Sequence, residues 1–171
     1  ITAISVSLQW LDSLVTFAVP PKTMSIEEAK EITKGIDNLY LYKDEGEMLK
    51  AFLDIIQDAD VLSGWNSEGY DIPYVINRIQ KVLSKDDTRK LCLWKQLPKK
   101  RVFERFGREQ ETYDLVGRVH LDSLELYRKY TYEERHSYRL DAIGEHELGE
   151  KKTVYEGSLD QLYNQDFRTF I

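Results

Sequence analysis

The order of apolar and polar positions predicts strands that alternate with helices. Two apolar-rich stretches, residues 1–8 and 14–19, flank a polar break at Asp12 and Ser13, which is typical of a strand hairpin. Apolar positions then recur with helical spacing in residues 48–56 and 75–83, and a short apolar run at residues 60–65 separates the two. A run of that length is typical of a buried parallel strand. The order strand, helix, strand, helix predicts an α/β protein.

Polar residues at the ends of these segments predict where the helices begin. Ser25 followed three positions later by Glu28 is the spacing of a capping box, and Gly35 is placed to end that first helix. Asp44 and Glu47 repeat the spacing before the apolar stripe that follows. These signals predict two capped helices before the central strand.

The second half of the chain predicts a β-hairpin and further helices. Residues 100–106 and 111–116 lie on either side of Gly107, which favours a hairpin whose loop is longer than two residues. Residues 119–121 predict one more short strand. Apolar spacing predicts helices near residues 124–130, 140–146 and 158–171. Because no repeat or low-complexity linker interrupts the sequence, we expect one domain over residues 1–171.

Composition narrows the class of protein. The 171 residues, 42% of them hydrophobic, are enough for an ordinary core. Cys92 is the single cysteine, which excludes an internal disulfide and a CxxC zinc site and favours an intracellular setting. No apolar run approaches the ~20 residues that cross a bilayer, so we expect a soluble chain without a membrane partner. Ile1 is not a start methionine, and the last predicted helix stops without a cap, so we expect a piece of a longer protein.

The charge is unevenly distributed. A net charge of -6 argues against a protein that coats nucleic acid, yet residues 86–118 carry nine basic and six acidic side chains. The segments before and after them are both acidic. Basic and aromatic residues mix on or beside the predicted hairpin, which suits phosphates and unstacked bases. A solvated basic hairpin with a few inward-facing apolar residues is the alternative. The residues concerned are Trp94, Lys95, Lys99, Lys100, Arg101, Phe103, Arg105, Phe106 and Arg108.

Residues 64–74 hold the densest group of candidate functional side chains. They follow the predicted central strand at its carboxyl end, where sites lie in open α/β sheets. Asp71, next to an amide and two phenols, is suited to hold a hard divalent cation together with substrate oxygens. In the alternative, Asp71 only caps the following helix and Asn66 supports the turn. A single carboxylate is too few for two-metal hydrolysis.

Three ordered blocks resemble family B DNA polymerases. Residues 66–71 (NSEGYD) match the second exonuclease motif of that family, Asn-x-x-x-Phe/Tyr-Asp. Residues 117–122 (GRVHLD) and 137–143 (SYRLDAI) resemble two further family segments, the latter similar to Ser-Tyr-x-Leu-Asp. Residues 44–79 look most like the T-even phage branch. The resemblance covers nearly the whole chain.

The resemblance implies a 3′→5′ proofreading exonuclease domain with a ribonuclease-H-like fold. Such a domain has a mixed central sheet flanked by helices and uses four carboxylates and two divalent ions, Mg²⁺ or Mn²⁺, to hydrolyse the terminal phosphodiester. By the same resemblance, Asp71 is a catalytic metal ligand, Asn66 and Tyr70 shape the pocket for the 3′ end, and Trp65 supports them. The implied partners are the single-stranded 3′ end of a DNA primer and a polymerase domain of the same parent chain, in the cytoplasm of an infected bacterium.

The chain departs from the family pattern at both ends. The first motif, Asp-x-Glu, is expected before Ile1, and the third, Tyr-x-x-x-Asp, after Ile171. Tyr163 cannot substitute, because Phe167 stands four positions after it. We therefore expect a partial exonuclease domain, truncated at both ends, that is inactive alone although its parent is an exonuclease. A non-catalytic single-strand-binding scaffold and a stand-alone exonuclease are the alternatives.

The resemblance also gives the predicted hairpin a role. In the T-even branch an extended hairpin keeps the primer strand apart from the template, and residues 99–117 resemble that insertion. The resemblance makes Arg101, Arg105 and Arg108 candidates for phosphate contacts and Phe103 or Phe106 for contact with a base.

Other polar residues are expected to be structural. His120, His136 and His146 lack the spacing of a joint metal site. Asp122 and Asp141 are expected to cap helices or lie on their surface.

Overall fold

A computed structural model describes residues 1–105 and 107–171, without the side chains of Phe103, Arg105 and Arg108. The chain divides into two compact units, residues 1–55 with 155–171 and residues 56–154. The single domain over residues 1–171 stays a prediction.

The first unit is built on a three-stranded sheet. Strands β1 (Ala3–Leu8) and β2 (Ser13–Ala18) are antiparallel, which confirms the predicted hairpin, and β3 (Leu39–Leu41) runs parallel to β2. Helices α1 (Ile26–Ile32) and α2 (Glu45–Ile56) begin where the sequence predicts. Ser25 and Glu28 form the complete capping box of α1, and Asp44 accepts a hydrogen bond from the Glu47 N–H at 2.9 Å.

Two apolar clusters bury the faces of this sheet. In the first, Phe17 and Met48 pack with Leu8 and Val15, so that the apolar stripe of α2 covers the hairpin. In the second, Ala18, Ala29 and Phe167 are buried together. Both clusters follow from the strand and helix periodicities that place apolar side chains on one face.

The carboxyl-terminal helix differs from its prediction. It consists of α6 (Leu159–Gln165) and the single turn α7 (Phe167–Phe170), not one helix over residues 158–171. The helix breaks because Asp166 adopts non-helical backbone angles and caps α7, accepting from the Thr169 N–H at 3.1 Å. The break turns Phe167 into the core, where it is 1% exposed.

The second unit pairs two strands that are distant in sequence. β4 (Val61–Gly64) and β7 (Val119–Asp122) are parallel, with Leu62 opposite His120 and Gly64 opposite Asp122. Helix α3 (Asp71–Val82) follows β4, and α4 (Ser123–Tyr130) follows β7 directly. Helix α5 (Leu140–Leu148) lies further along the chain. Both strands and all three helices confirm predicted elements.

Strands β5 (Lys99–Arg105) and β6 (Arg108–Asp114) form the predicted hairpin, but its connection is shorter than expected. The register pairs Arg105 with Arg108, so two residues join the strands, and the prediction of a longer loop is wrong. Gly107 has a φ of 69°, the left-handed conformation that tight hairpin turns need and glycine supplies without strain.

Arg118 anchors the start of β7 to the segment before β4. The residue is 8% exposed, and its guanidinium donates to the backbone carbonyls of Ile56 and Ala59, to that of Gln57 at 2.8 Å and to that of Lys90 at 3.3 Å. The Ile56 carbonyl also accepts from the Ala59 N–H at 3.0 Å, so Arg118 binds backbone acceptors in the loop before β4. The residue therefore ties the start of β7 to that loop.

The described strands form three small sheets of three, two and two strands. The mixed α/β class is confirmed, whereas the ribonuclease-H-like fold with one mixed central sheet stays a prediction. Among the described residues, no helix combines the length and the apolar character needed to span a bilayer.

Candidate functional site

The turn between β4 and α3 positions Asp71. Tyr70 occupies the N-cap position and Asp71 is the first helical residue, so Asp71 lies in the first turn of α3 and not at its N-cap. Asn66 adopts a φ of 56°, a left-handed conformation that asparagine tolerates better than most residues, and its carbonyl accepts from the Tyr70 N–H at 3.0 Å. The backbone of Asn66 thus takes part in the turn.

Asp122 fixes this turn from the neighbouring strand. Its Oδ1 accepts from the N–H groups of Asn66 at 3.0 Å and Leu124 at 2.9 Å, and its Oδ2 accepts from the N–H of Glu68 at 3.0 Å. The bond from Leu124 caps α4, as expected from the sequence. The two other bonds were not predicted, and they tie the residues before Asp71 to the end of β7.

The carboxyl group of Asp71 lies in an electrostatically unfavourable place. Asp71 is exposed as a residue, but partial burial of its carboxyl group raises the pKa, and the negative charge of Asp122 raises it further. A hydrogen bond from its own backbone N–H and the proximity of His120 act in the opposite direction. A carboxylate whose charge is poorly compensated is a candidate cation ligand, because a cation would remove the penalty.

His120 belongs to this site, although sequence reasoning did not place it there. Its Nε2 lies 2.9 Å from the Ser67 hydroxyl, and burial lowers its pKa despite the nearby carboxylates of Glu68, Asp122 and Asp71. The alternation of a strand could have placed His120 at the site, since His120 and Asp122 are two positions apart and share one face of β7.

Asp71→Asn is expected to stabilise the chain slightly at neutral pH. The folded state raises the Asp71 pKa, so the ionised carboxylate opposes folding above that pKa, and the penalty vanishes as the pH falls below the ordinary value of 3.8. Because the residue is exposed, solvent screening limits the gain to less than ~1 kcal/mol, or about 2 °C in Tm. Thermal unfolding from pH 3 to pH 8 measures the effect.

Glu28→Gln is the control of opposite sign. Hydrogen bonds from Ser25 lower the Glu28 pKa, so its ionised form stabilises the fold, and its loss should lower Tm at pH 7. A Tm for Asp71→Asn at or below that of the unsubstituted chain at pH 7 would contradict the unfavourable environment of the Asp71 carboxylate.

Two aromatic residues flank the turn in different ways. Tyr70 is 62% exposed, and its ring stacks on that of Tyr74 with centroids 5.8 Å apart. Trp65 is half-buried, donates from Nε1 to the Tyr138 carbonyl at 3.1 Å and contacts the ring of Tyr127. Tyr70 is thus accessible to a ligand, and Trp65 joins the turn to the segment before α5.

A cavity of about 520 Å³ lies beside Trp65 and Asn66. Its wall includes Arg128, His136 and Arg139, and the Arg128 guanidinium lies over the Tyr138 ring, 4.5 Å from its centroid. The cavity thus combines cationic and aromatic groups next to the motif residues.

Arg101 joins the base of the hairpin to the turn before Asp71. Its guanidinium forms ion pairs with Glu68 and, at 3.0 Å, with Asp114, and the Thr112 hydroxyl donates to the Glu68 carbonyl at 2.7 Å. Contact between Arg101 and a phosphate would therefore compete with two carboxylates. The candidate contacts of Phe103, Arg105 and Arg108 concern side chains outside the described residues, and Phe106 lies wholly outside them.

The described residues do not make up a metal centre. Among them, no group of three or more His, Cys, Asp or Glu side chains is arranged to hold a metal ion. Asp122, the carboxylate near Asp71, already accepts three backbone hydrogen bonds. Asp71 is thus a candidate single ligand among the described residues.

Comparison with known proteins decides the family. A family model described as "DNA polymerase family B, exonuclease domain" matches residues 1–143. The chain belongs to this family. The match includes the turn, Asp71, the hairpin, Asp122 and the start of α5, which confirms the resemblance identified in the sequence.

Relatives in the family include phage and eukaryotic polymerases. The DNA-directed DNA polymerase of Escherichia phage RB69 is 32% identical over 132 residues, which cover 76% of this chain and 14% of that protein. The polymerase of Enterobacteria phage T4 is 26% identical over 153 residues, which cover 86% of this chain and 17% of that protein. The DNA polymerase delta catalytic subunit of Candida albicans is 34% identical over 129 residues, 71% of this chain and 12% of that protein. The phage matches confirm the T-even type, and the chain spans a small part of each relative.

Proposed function

We propose that this chain is part of the 3′→5′ proofreading exonuclease domain of a phage-type DNA-directed DNA polymerase, with a ribonuclease-H-like fold. The parent enzyme removes mispaired 3′-terminal nucleotides from DNA by two-metal phosphodiester hydrolysis. The observation that carries the proposal is the second exonuclease motif, held in a fixed turn that presents Asp71 at the start of α3. The family match over residues 1–143 supports it.

The residues of the turn have separate roles in this proposal. Asp71 is the ligand that this chain contributes to a site for Mg²⁺ or Mn²⁺, and the remaining ligands come from the rest of the parent protein. When bound, such ions activate water and stabilise charge on the phosphate. Asn66 and Tyr70 contact the 3′ end, consistent with the exposed ring of Tyr70, and Trp65 holds the turn in place through its bond to the Tyr138 carbonyl.

The partners in this proposal are the single-stranded 3′ end of a primer and the polymerase domain of the parent chain, in the cytoplasm of an infected bacterium. The hairpin of β5 and β6 helps to keep primer and template apart. Because Arg101 is engaged by Glu68 and Asp114, it reaches a phosphate only when these ion pairs open.

Replacing Arg101 and Arg105 together by alanine should weaken single-strand binding by the full-length polymerase. On single strands, each phosphate contact contributes about 0.7 to the slope of log affinity against log salt concentration. The loss of two contacts should therefore reduce this slope by about 1.4. Titration of a fluorescent oligonucleotide at several salt concentrations measures this slope. The double variant Lys30→Ala, Lys34→Ala removes the same charge from the first unit and should leave the slope unchanged. A hairpin variant that keeps the parental slope would make both arginines ordinary surface charges.

The 171-residue chain is expected to have no exonuclease activity by itself. The described residues lack a group that could hold a metal ion, so Asp71 alone cannot organise hydrolysis. Incubation of the chain with a labelled single-stranded oligonucleotide and Mg²⁺ or Mn²⁺ tests this, with circular dichroism to verify folding. The full-length protein should release nucleotides under the same conditions. Excision by the isolated chain would refute the proposal that the remaining metal ligands come from the rest of the parent protein.

The open reading frame around this segment is a further test of the proposal. It should encode Asp-x-Glu shortly before Ile1 and Tyr-x-x-x-Asp within a few residues after Ile171. A frame that lacks both motifs would refute the catalytic role and favour the non-catalytic scaffold. A stop codon soon after the third motif would instead support a stand-alone exonuclease.

A further inference from the structure

We infer that Asp122 is a positioning residue for the exonuclease turn, residues 65–70. It holds Asn66 and Glu68 in place, and through them the start of α3, without itself binding metal or DNA. The inference rests on the proposed function, since it assigns a second residue to the same site.

The geometry is that of a buried anion enclosed by backbone donors. Asp122 is 7% exposed, and its two carboxylate oxygens accept three N–H bonds of 2.9 to 3.0 Å. Two of these donors, Asn66 and Glu68, belong to the turn, and the third, Leu124, belongs to the first turn of α4. One side chain at the end of β7 thus joins two segments that are more than 50 positions apart in sequence.

The turn packs closely against the ends of β4 and β7, which limits the positions that its residues can take beside Asp122. Gly64 is opposite Asp122 in the parallel register and directly precedes the turn. A Cβ at Gly64 would lie 3.0 Å from the Ser67 Cβ, so the turn folds tightly over the end of β4. The Ser67 hydroxyl bonds to the Gly64 carbonyl at 3.1 Å and lies 2.9 Å from His120 Nε2. Asp122 therefore holds the first and third residues of the motif, and a side-chain bond holds the second.

A carboxyl group at this position suits the three donors, because it accepts through both of its oxygens. Hydrogen bonds to a charged acceptor are stronger than those to a neutral one. An amide in the same place would accept through its single oxygen and turn an NH₂ group toward the remaining N–H donor. Each partly buried N–H that loses its acceptor then carries a desolvation cost. Asp122→Asn, which keeps the shape and removes the charge, is thus the most informative substitution.

Asp122 and Asp71 differ in how accessible their carboxyl groups are to a ligand. Asp122 is 7% exposed and its oxygens accept three backbone N–H bonds, whereas Asp71 is exposed. We therefore assign Asp122 to holding the turn and leave Asp71 as the residue accessible to a ligand.

The experiment compares three variants of the full-length polymerase, Asp122→Asn, Asp122→Glu and Asp44→Asn. Asp44 is the matched control, because it is a carboxylate that caps helix α2 in the first unit. The first measurement is hydrogen–deuterium exchange of the peptide that spans the turn. The second is single-turnover excision from a single-stranded oligonucleotide, with the polymerisation rate and Tm measured in parallel.

We expect Asp122→Asn to accelerate exchange in the turn at least tenfold and to slow excision by about tenfold or more, with polymerisation within twofold of the parent. Asp122→Glu keeps the charge and should fall between the parent and the amide, which gives a second result if the amide variant does not fold. Asp44→Asn should change neither the exchange of the turn nor the excision rate. Unchanged exchange in the turn of a folded Asp122 variant, or excision within twofold of the parent, would overturn the inference.

The exchange measurement separates this inference from the proposed function. If the parent polymerase excises nothing, the proposed exonuclease function fails. Accelerated exchange in Asp122→Asn would still support the positioning role, and unchanged exchange would still overturn it.

Discussion

Asp71→Ala in the full-length polymerase is expected to lower the exonuclease rate by about 10³-fold or more while polymerisation stays within twofold. The expected loss follows from the proposed role of Asp71 as a ligand of the catalytic ions, whose charge stabilisation contributes several kcal/mol, and each 1.36 kcal/mol changes the rate tenfold. The substitution removes an exposed carboxylate at the first position of α3 and leaves the bonds of Asp122 to the turn in place. Single-turnover excision from a single-stranded oligonucleotide, with primer extension measured in parallel, tests this.

Asp160→Ala is the matched control for that experiment. Asp160 is an exposed carboxylate in the first turn of α6, a position on a helix comparable to that of Asp71. Its removal should leave both rates unchanged. If Asp71→Ala retained the parental excision rate, Asp71 would be a structural residue of the turn and not a metal ligand.

Arg118→Met is expected to lower the free energy of unfolding by about 3 kcal/mol. The substitution keeps much of the side-chain volume but removes donors to four carbonyls of residues 56–59 and 90. Buried acceptors without partners cost about 1–3 kcal/mol each, and part of that cost is recovered when water enters. Urea unfolding of the 171-residue chain measures the change.

Arg135→Met provides the comparison. Arg135 forms ion pairs with Glu133 and Glu147, which are 80% and 42% exposed, and surface pairs of this kind contribute about 0–1 kcal/mol. A loss of less than ~1 kcal/mol in Arg118→Met, no larger than that in Arg135→Met, would show that the carbonyls find other partners at little cost.

Local sequence signals predicted most elements of the fold. The capping pair Ser25 and Glu28, the alternation in the amino-terminal hairpin and the stripe of α2 each report a structure decided within a few residues. The break at Asp166 was missed because the apolar spacing continues across it, whereas the cap at Asp166 and the burial of Phe167 both accompany the kinked form. The hairpin connection was predicted too long because the paired strand residues Arg108 and Glu109 are polar like those of a loop, so the sequence contains no sharp boundary.

The sequence predicted the motif residues of the candidate site but not the contacts that hold them in place. Asp71, Asn66 and Tyr70 stand in one short stretch, and the resemblance of that stretch to the second exonuclease motif identifies them. The bonds from Asp122 to Asn66 and Glu68 and the contact of His120 with Ser67 depend on the parallel pairing of β4 with β7. No local pattern specifies that pairing. The ion pair of Arg101 with Glu68 depends likewise on where the hairpin lies in the second unit.

Excision of a mismatched primer end tests the central claim most directly. The full-length protein is incubated with Mg²⁺ and a primer–template whose 3′ nucleotide is either paired or mispaired, and release of that nucleotide is followed without added nucleotides. The account predicts that the mispaired nucleotide is released faster than the paired one and that Asp71→Ala abolishes both releases. A protein that extends paired primers at a normal rate but releases no mispaired nucleotide would contradict it.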